Sequence, residues 1–355
     1  MRRALILAER GLGRTTPNPV VGACIVTNEG VVVGQGAHER AGEPHAEVHA
    51  LNAAGERAHG ATLYCTLEPC VHTGRTGPCT ERILAAGIRR VVVAIEDPDP
   101  RVSGRGIAVL RGRGVQVDVG LGSARASELN FPFLTVKRHG RPFLILKAAV
   151  SRDGFIAARP GERTLLTTPA SNRHAQYVRA RMDAIAVGSE TILVDDPRLT
   201  VREVYRERPL TRVIFDRRLR TPPAARLFST REAGPVIILT SQDTLRRNSN
   251  RAAALERVGA TIMPVAEPGI LPMLRALVPF DVQSVLLEGG SSVHAAAWDE
   301  GAVDAVHLYM TRHVLGPGGV KFLAGRPFSP SALIGVHYTS RRGDIILEGY
   351  VHRPD

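Results

Sequence analysis

Apolar residues follow two rhythms along this chain, and the changes of rhythm mark its elements. In the first third, short runs rich in Val and Ile predict strands: "PVVGACIV", "VVVGQGAH", "TLYCTLE" and "RRVVVAIED". Between them "EPHAEVHALNAAG", from Glu43, and "TERILAAG" carry helical spacing, and Gly87 beyond Ile83 and Leu84 supplies a left-handed stop. Strands alternating with helices predict an α/β sheet with helices on its faces. The passage "SARASELNFPFLTVKRHGRP" is polar and basic and contains Pro132, Gly140 and Pro142, so it reads as the boundary between two domains, 1–141 and 142–355.

The alternation then restarts. "PFLILKAAV" leads to a helix over "PASNRHAQYVRARM", followed by "DAIAVGS", "TRVIFD", "PVIILTS", a helix near "RAAALERVG", "ATIMPV" and "SVLLEGG". Near the end, "DAVHLYMTRHVLG" and "DIILEGYVH" are strand-like with little helix between them, which predicts a mixed sheet with antiparallel members on its C-terminal side. No internal repeat or low-complexity tract interrupts the pattern.

Composition narrows this picture. The 355 residues exceed what one hydrophobic core usually serves, and 44% hydrophobic with 23% charged residues is the balance of a globular protein. No apolar run reaches the roughly 20 residues that span a bilayer. The start "MRRALILAERGLG" reads as a basic amphipathic helix with Glu9 inside it and no small-residue cleavage site. A cytoplasmic protein without a membrane partner is expected. The net charge of +12 invites a nucleic-acid reading, but lysine occurs only at Lys137, Lys147 and Lys321, and the arginines are scattered among Asp and Glu. That pattern fits a solvated basic surface, with some Arg serving phosphorylated small molecules, and no nucleic-acid partner is expected.

Candidate chemistry concentrates early. All four cysteines, Cys24, Cys65, Cys70 and Cys79, lie in the first quarter, which does not suit a disulfide framework for a chain this long. Cys24 and Cys65 fall inside apolar strands and read as core. Catalytic zinc takes three protein ligands and keeps a fourth position for water, and His45 with Cys70 and Cys79 would supply that set. Cys79 opens a helix, where free amides favour a thiolate. Glu47, two residues after His45, is placed to move a proton without binding the metal.

The order His45, Glu47, Cys70, Cys79 resembles the zinc-dependent nucleobase deaminases. Eight residues, "VHTGRTGP", separate the cysteines where most of that superfamily has two. With "TTPNPVVGACIV" upstream and "EDPDPRVSGRGI" downstream, the setting "TLEPCVHTGRTGPC" resembles the pyrimidine deaminase of riboflavin biosynthesis. The resemblance implies substrate binding by Asn18, with His72 and Arg75 reaching the substrate or its phosphate. In the second half "LKAAVSRDGFIA", "DAIAVGSETILVDDPRLTVR" and "SVLLEGGSS" resemble the reductase domain fused to that deaminase in the bifunctional riboflavin enzyme. Together they imply a cytidine-deaminase-like three-layer α/β/α domain followed by a dihydrofolate-reductase-like α/β domain with a mixed sheet.

The same resemblance implies zinc in the first domain and NADPH in the second. Lys147, Arg163, Arg179, Leu199, Arg202 and Glu288 would hold the reductase substrate, and Val150, Leu165, Thr191, Asp195, Arg217, Gly289, Gly290 and Ser291 the cofactor. Physically, "LLEGGSSVHAAAW" is a strand, a Gly pair and a helix, which lets a dinucleotide phosphate approach backbone at a positive helix end. "TILVDDPRLTVR" reads as a polar loop carrying Thr191, Asp195, Asp196 and Arg202. The chain departs from the family's "GxSxWIT" with "GERTLLT", placing Arg163 for Ser and Leu165 for Trp, and Arg217 stands where a small hydroxyl residue is common. The implied function is hydrolytic deamination of a phosphoribosylaminopyrimidine, then reduction of its ribosyl to a ribityl chain, by a homo-oligomer (dimer or tetramer). Two rivals stay open: a deaminase of RNA or a free base with a non-reducing binding domain, and a non-catalytic zinc-stabilised binding protein.

Overall fold

The structure, a computed structural model, describes residues 1–71, 77–100 and 102–354. It divides into two units, Met1–His139 and Gly140–Arg353.

In the first unit, strands β1 (Gly22–Val26), β2 (Val32–Ala37), β3 (Thr62–Cys65), β4 (Arg90–Val93) and β5 (Gln116–Val119) form a sheet in the order β2-β1-β3-β4-β5. The first three are antiparallel neighbours and the last three parallel ones. Six helices accompany them: α1 (Arg2–Ala8), α2 (Ala46–Ala54), α3 (Cys79–Ala85), α4 (Arg105–Gly112), α5 (Ser123–Leu129) and α6 (Phe131–His139).

Glycine decides how closely the helices lie. A Cβ at Gly34 would sit 2.1 Å from the carbonyl oxygen of Ala50, and one at Gly36 2.1 Å from that of Ala46. Side-chain-free strand therefore meets the Ala46, Ala50 and Ala54 stripe of α2. On the opposite face, a Cβ at Gly22 would sit 2.0 Å from the carbonyl oxygen of Ala4 in α1. Gly36 pairs with Ala23, whose neighbour Gly22 points the other way, so α1 and α2 cover opposite faces and the unit has the expected three layers.

The polar and basic passage before the boundary forms helix α5 and helix α6. Its apolar residues Leu129, Phe131, Phe133 and Leu134 are buried, a spacing that the surrounding basic residues hid. Asn130 ties the corner between the two helices to the strand entry. It accepts from the Val20 N–H at 2.8 Å and donates to the Val20 carbonyl at 3.0 Å. Pro132 is tolerated because it stands in the first turn.

The second unit contains β6 (Phe143–Val150), β7 (Phe155–Ala157), β8 (Ala184–Gly188), β9 (Thr211–Phe215), β10 (Val236–Ser241), β11 (Ala260–Val265), β12 (Ser284–Gly289), β13 (Ala305–Met310), β14 (Val320–Lys321), β15 (Ile334–Arg341) and β16 (Asp344–Tyr350). Nine of them form one sheet in the order β11-β10-β9-β8-β12-β6-β13-β16-β15, and β14 pairs with β7 separately. The sheet is parallel as far as β13, and β16 and β15 add an antiparallel hairpin, the mixed arrangement the sequence predicts. Helices α7 (Pro169–Arg181), α8 (Ser189–Asp195), α9 (Gln242–Arg247), α10 (Ser249–Arg257), α11 (Ile270–Arg275) and α12 (Ser291–Asp299) complete it. Thr191 and Asp195 thus stand on helix α8, not in the loop expected: Ile192 is buried, Glu190 suits the first turn, and the helix stops only at left-handed Asp196 (φ 40°).

Several arginines serve this fold rather than a ligand. Arg141 makes a fork with Asp304 at 2.6 and 2.7 Å, and Asp304 also accepts from the Leu144 N–H, joining the starts of β6 and β13. Fully buried Arg212 donates to the carbonyls of Leu227 and Gly234. Among the described residues, no helix is long and apolar enough to cross a membrane.

The depth of α2 makes a direct prediction. Gly36→Ala forces helix and strand apart, costing about 3 kcal/mol by overpacking and displacing the helix start that carries His45. Thermal unfolding with zinc titration checks it: lower stability and weaker zinc binding are expected together, and parent-like values for both would contradict the packing argument.

Candidate functional site

Two helix starts and one strand exit build the first site. His45 is the N-cap of α2, with Glu47 in the first turn behind it. Cys70 follows β3 through "TLEPC", and Cys79 is the first residue of α3. The Cys79 N–H donates to the Cys70 sulfur at 3.4 Å, and the Thr80 N–H donates to the Cys70 carbonyl at 3.2 Å, so the start of α3 latches the cysteine before it.

His45 Nδ1 lies 3.3 Å from Cys79 Sγ and 3.6 Å from Cys70 Sγ, and all three ligand atoms fall within 4.8 Å of one another. Tetrahedral zinc with ordinary Zn–N and Zn–S bonds separates N from S by about 3.6 Å, so the residues present fit the metal. The hydrogen bond from Cys79 and the neighbouring His45 pull the Cys70 thiol down, while its hydrogen bond to Cys70 and burial push Cys79 up. Glu47 is 3% exposed, its Oε2 has no hydrogen-bond partner, and burial pushes its carboxyl up to about 7 against the pull of His45. A buried carboxyl with an open oxygen beside a three-ligand set has the chemistry to carry a proton.

A cavity of about 290 Å³ opens on this set, lined by Asn18, His38, His45, Glu47, Glu68, Cys70, Asp99, Phe133 and Lys137 among others. His38 escaped the sequence reading. Its Nδ1 lies 3.2 Å from the Pro44 carbonyl, so that nitrogen carries the proton and Nε2 accepts from Asn18 Nδ2 at 3.0 Å. Burial pushes the pKa of His38 down, and its hydrogen bond to Pro44 leaves Nε2 facing the Asn18 amide nitrogen. Glu68, the acid of "LEPC", was also missed. Its carboxylate accepts from the backbone N–H groups of Asp97, Gly104, Gly106 and Ile107 at 2.8–3.2 Å, clamping the "EDPDPRVSGRGI" loop beside Cys70. His72 and Arg75 lie outside the described residues.

In the second unit a cavity of about 810 Å³ gathers Lys147, Arg163, Leu165, Thr191, Asp195, Arg217, Glu288, Gly289, Gly290 and Ser291. Close approach is built in: a Cβ at Gly289 would meet Thr191 Oγ1 at 2.6 Å, and Gly290 takes φ 86° ahead of α12. Arg179 stands behind this wall, forked onto Glu288 at 2.9 and 2.8 Å, and Lys147 Nζ is 3.7 Å from the same carboxylate. Besides Arg179, three expected residues do not line the cavity. Val150 lines a separate cavity, Leu199 is buried in the core at φ 54°, and Arg202 is exposed.

A deaminase-type metal cradle in one unit and a glycine-flanked cofactor cavity in the other define the class: a zinc hydrolase joined to an NADPH-dependent oxidoreductase. Comparison with known proteins agrees. Residues 1–95 match the cytidine and deoxycytidylate deaminase zinc-binding region, and residues 142–346 match the RibD C-terminal domain. The chain belongs to the riboflavin biosynthesis protein RibD family. It is 41% identical to riboflavin biosynthesis protein RibD of Aquifex aeolicus over 318 residues, 90% of this chain and 87% of that one. The Bacillus amyloliquefaciens RibD is 40% identical over 342 residues, 96% of this chain and 89% of its own length. A solved structure of Acinetobacter baumannii RibD superposes with a TM-score of 0.86 at 34% identity, covering 98% of this chain and 97% of that one. The diaminohydroxyphosphoribosylaminopyrimidine deaminase/5-amino-6-(5-phosphoribosylamino)uracil reductase of Thermotoga maritima gives 0.83 at 32% identity, with coverages of 99% and 97%.

The Glu288 pairings have a pH signature. Burial opposes ionisation, but Arg179 and Lys147 outweigh it and hold Glu288 at about 2 against an ordinary 4.5. A depressed carboxyl stabilises the fold above 4.5 and loses that contribution as pH falls through 2. Glu288→Gln is expected to cost about 3 kcal/mol at neutral pH, a deficit that shrinks in acid. Urea unfolding of both proteins at pH 7 and pH 3 checks this, and an equal deficit at both would contradict it.

Proposed function

We propose that the first unit deaminates 2,5-diamino-6-(ribosylamino)pyrimidinone 5'-phosphate and that the second reduces the ribosyl group of the product to ribityl with NADPH. The observation carrying this reading is the buried Glu47 carboxyl with an unpartnered oxygen beside the His45, Cys70 and Cys79 cradle. The substrate follows from the Thermotoga relative's activity and the matching two-unit order.

His45, Cys70 and Cys79 would hold the zinc, which when bound supplies the Lewis acidity that makes water nucleophilic near neutral pH. Glu47 takes the proton from the attacking water and delivers it to the departing amine, a task its raised carboxyl suits. Asn18, its amide nitrogen facing His38 Nε2, orients the pyrimidine edge. Arg75 and His72 would meet the outer part of the same substrate.

In the second unit Gly289, Gly290 and Ser291 at the start of α12 would receive the cofactor's phosphates, with Thr191, Asp195, Leu165 and Arg217 around it. Lys147, Glu288 and Arg163 would hold the sugar and phosphate, and Arg179 keeps Glu288 ionised and aimed. Hydride transfer then needs orientation more than acid or base strength, since the cofactor carries that chemistry. A cytoplasmic homo-oligomer completes the reading.

Glu47→Gln tests it. Deamination is expected to fall about 100- to 10,000-fold, the usual worth of a positioned proton carrier, with zinc content and NADPH-dependent reduction of the deaminated product retained. Deamination near the parent rate in the zinc-loaded variant would overturn the assignment and favour a non-catalytic zinc site.

A further inference from the structure

The substrate reading above puts a phosphate on the molecule that enters the first-unit cavity, yet the described walls carry little positive charge. Glu47, Glu68 and Asp99 all line it. Glu68 is occupied by backbone N–H groups, Glu47 is buried beside the sulfurs, and burial pushes the pKa of His38 down. Among the described residues lining the cavity, Lys137 is the one lysine or arginine. An anion approaching three carboxylates needs a cation, and this is the candidate the cavity offers.

Lys137 is also held. Its Nζ lies 2.9 Å from Asp99 Oδ2 and 5.6 Å from the centroid of the Phe133 ring. Asp99 belongs to the loop that Glu68 clamps, its own N–H donating to Asp97 Oδ1 at 2.8 Å. Lys137 and Phe133 belong to α6, whose start is tied to the sheet through Asn130. Two anchored elements therefore fix one ammonium. Its side chain is 30% exposed and that of Asp99 11%, so the carboxylate is shielded while the ammonium meets water. An ammonium has three N–H donors and Asp99 takes one, which leaves capacity for phosphate oxygens.

We propose that Lys137 recognises the substrate's phosphate in the deaminase cavity, with Asp99 and Phe133 positioning its ammonium. The inference rests on the substrate reading given above and adds to it, beside the outer contacts proposed for Arg75 and His72, a residue through which the site prefers a phosphorylated pyrimidine. In the empty site Asp99 balances Lys137, and a bound phosphate shares the ammonium with it. The uncharged ribosyl compound lacks that contact.

The experiment is steady-state deamination by zinc-loaded full-length protein with the ribosylaminopyrimidine 5'-phosphate and with its dephosphorylated counterpart. Lys137→Met is expected to raise KM for the phosphorylated substrate about 10- to 100-fold, the worth of a charged hydrogen bond, with kcat within about twofold and no change for the dephosphorylated one. Lys137→Arg should recover most of the loss. Ribose 5-phosphate, as a competitive inhibitor, should weaken in parallel with the Met variant. An unchanged KM in Lys137→Met, or an equal rise for both substrates, would overturn the proposal while leaving the substrate reading intact. A parent protein that deaminates neither compound would overturn both.

Discussion

The deaminase half depends on how deep one helix lies. Gly34 and Gly36 remove the side chains that would hold α2 off the sheet, and the alanine stripe of α2 accepts the contact. Depth fixes where the helix begins, and its beginning is His45 and Glu47. A metal cradle tolerates little error, because three ligand atoms must converge to within tenths of an ångström of a tetrahedral edge. Backbone packed against backbone is stiffer than any side-chain contact could be, so the site inherits its precision from the sheet.

Buried carboxylates then bind the loops to that frame. Glu68 collects four backbone N–H groups and draws the loop of Asp99 toward Cys70. Asp183 does the same in the second unit, accepting from the Ser284 hydroxyl at 2.8 Å and from the N–H groups of Gln283 and Ser284. Arg212, Arg141 and Arg179 are the cationic counterparts, each bonded to carbonyls or carboxylates inside the fold. The high arginine content is therefore partly internal architecture, which is why net charge is a poor guide to this protein's ligands.

What was legible in the sequence was what repeats or carries rare chemistry. Val-rich runs gave the strands, the Gly pair gave the entry to α12, and His45, Glu47, Cys70 and Cys79 stood out because few other roles need that set in that order. The helices over 123–139 were not legible because basic residues masked Leu129, Phe131 and Phe133, whose burial depends on contacts with distant strands. His38 and Glu68 were invisible for a related reason: each acts through backbone groups, of Pro44 for one and of residues 97–107 for the other, and such partners leave no trace in side-chain pattern. In the reductase half, Leu199 and Arg202 follow Asp195 closely in sequence, and beyond left-handed Asp196 one is buried and the other exposed, a difference that spacing alone does not show.

The central claim is that one chain carries both chemistries in sequence. It is tested most directly by mass spectrometry of the product formed when zinc-loaded protein meets the diaminopyrimidine ribosylamino phosphate and NADPH. The account predicts a product that has exchanged an amino group for oxygen and gained two hydrogens on its sugar chain. Unchanged substrate would contradict it.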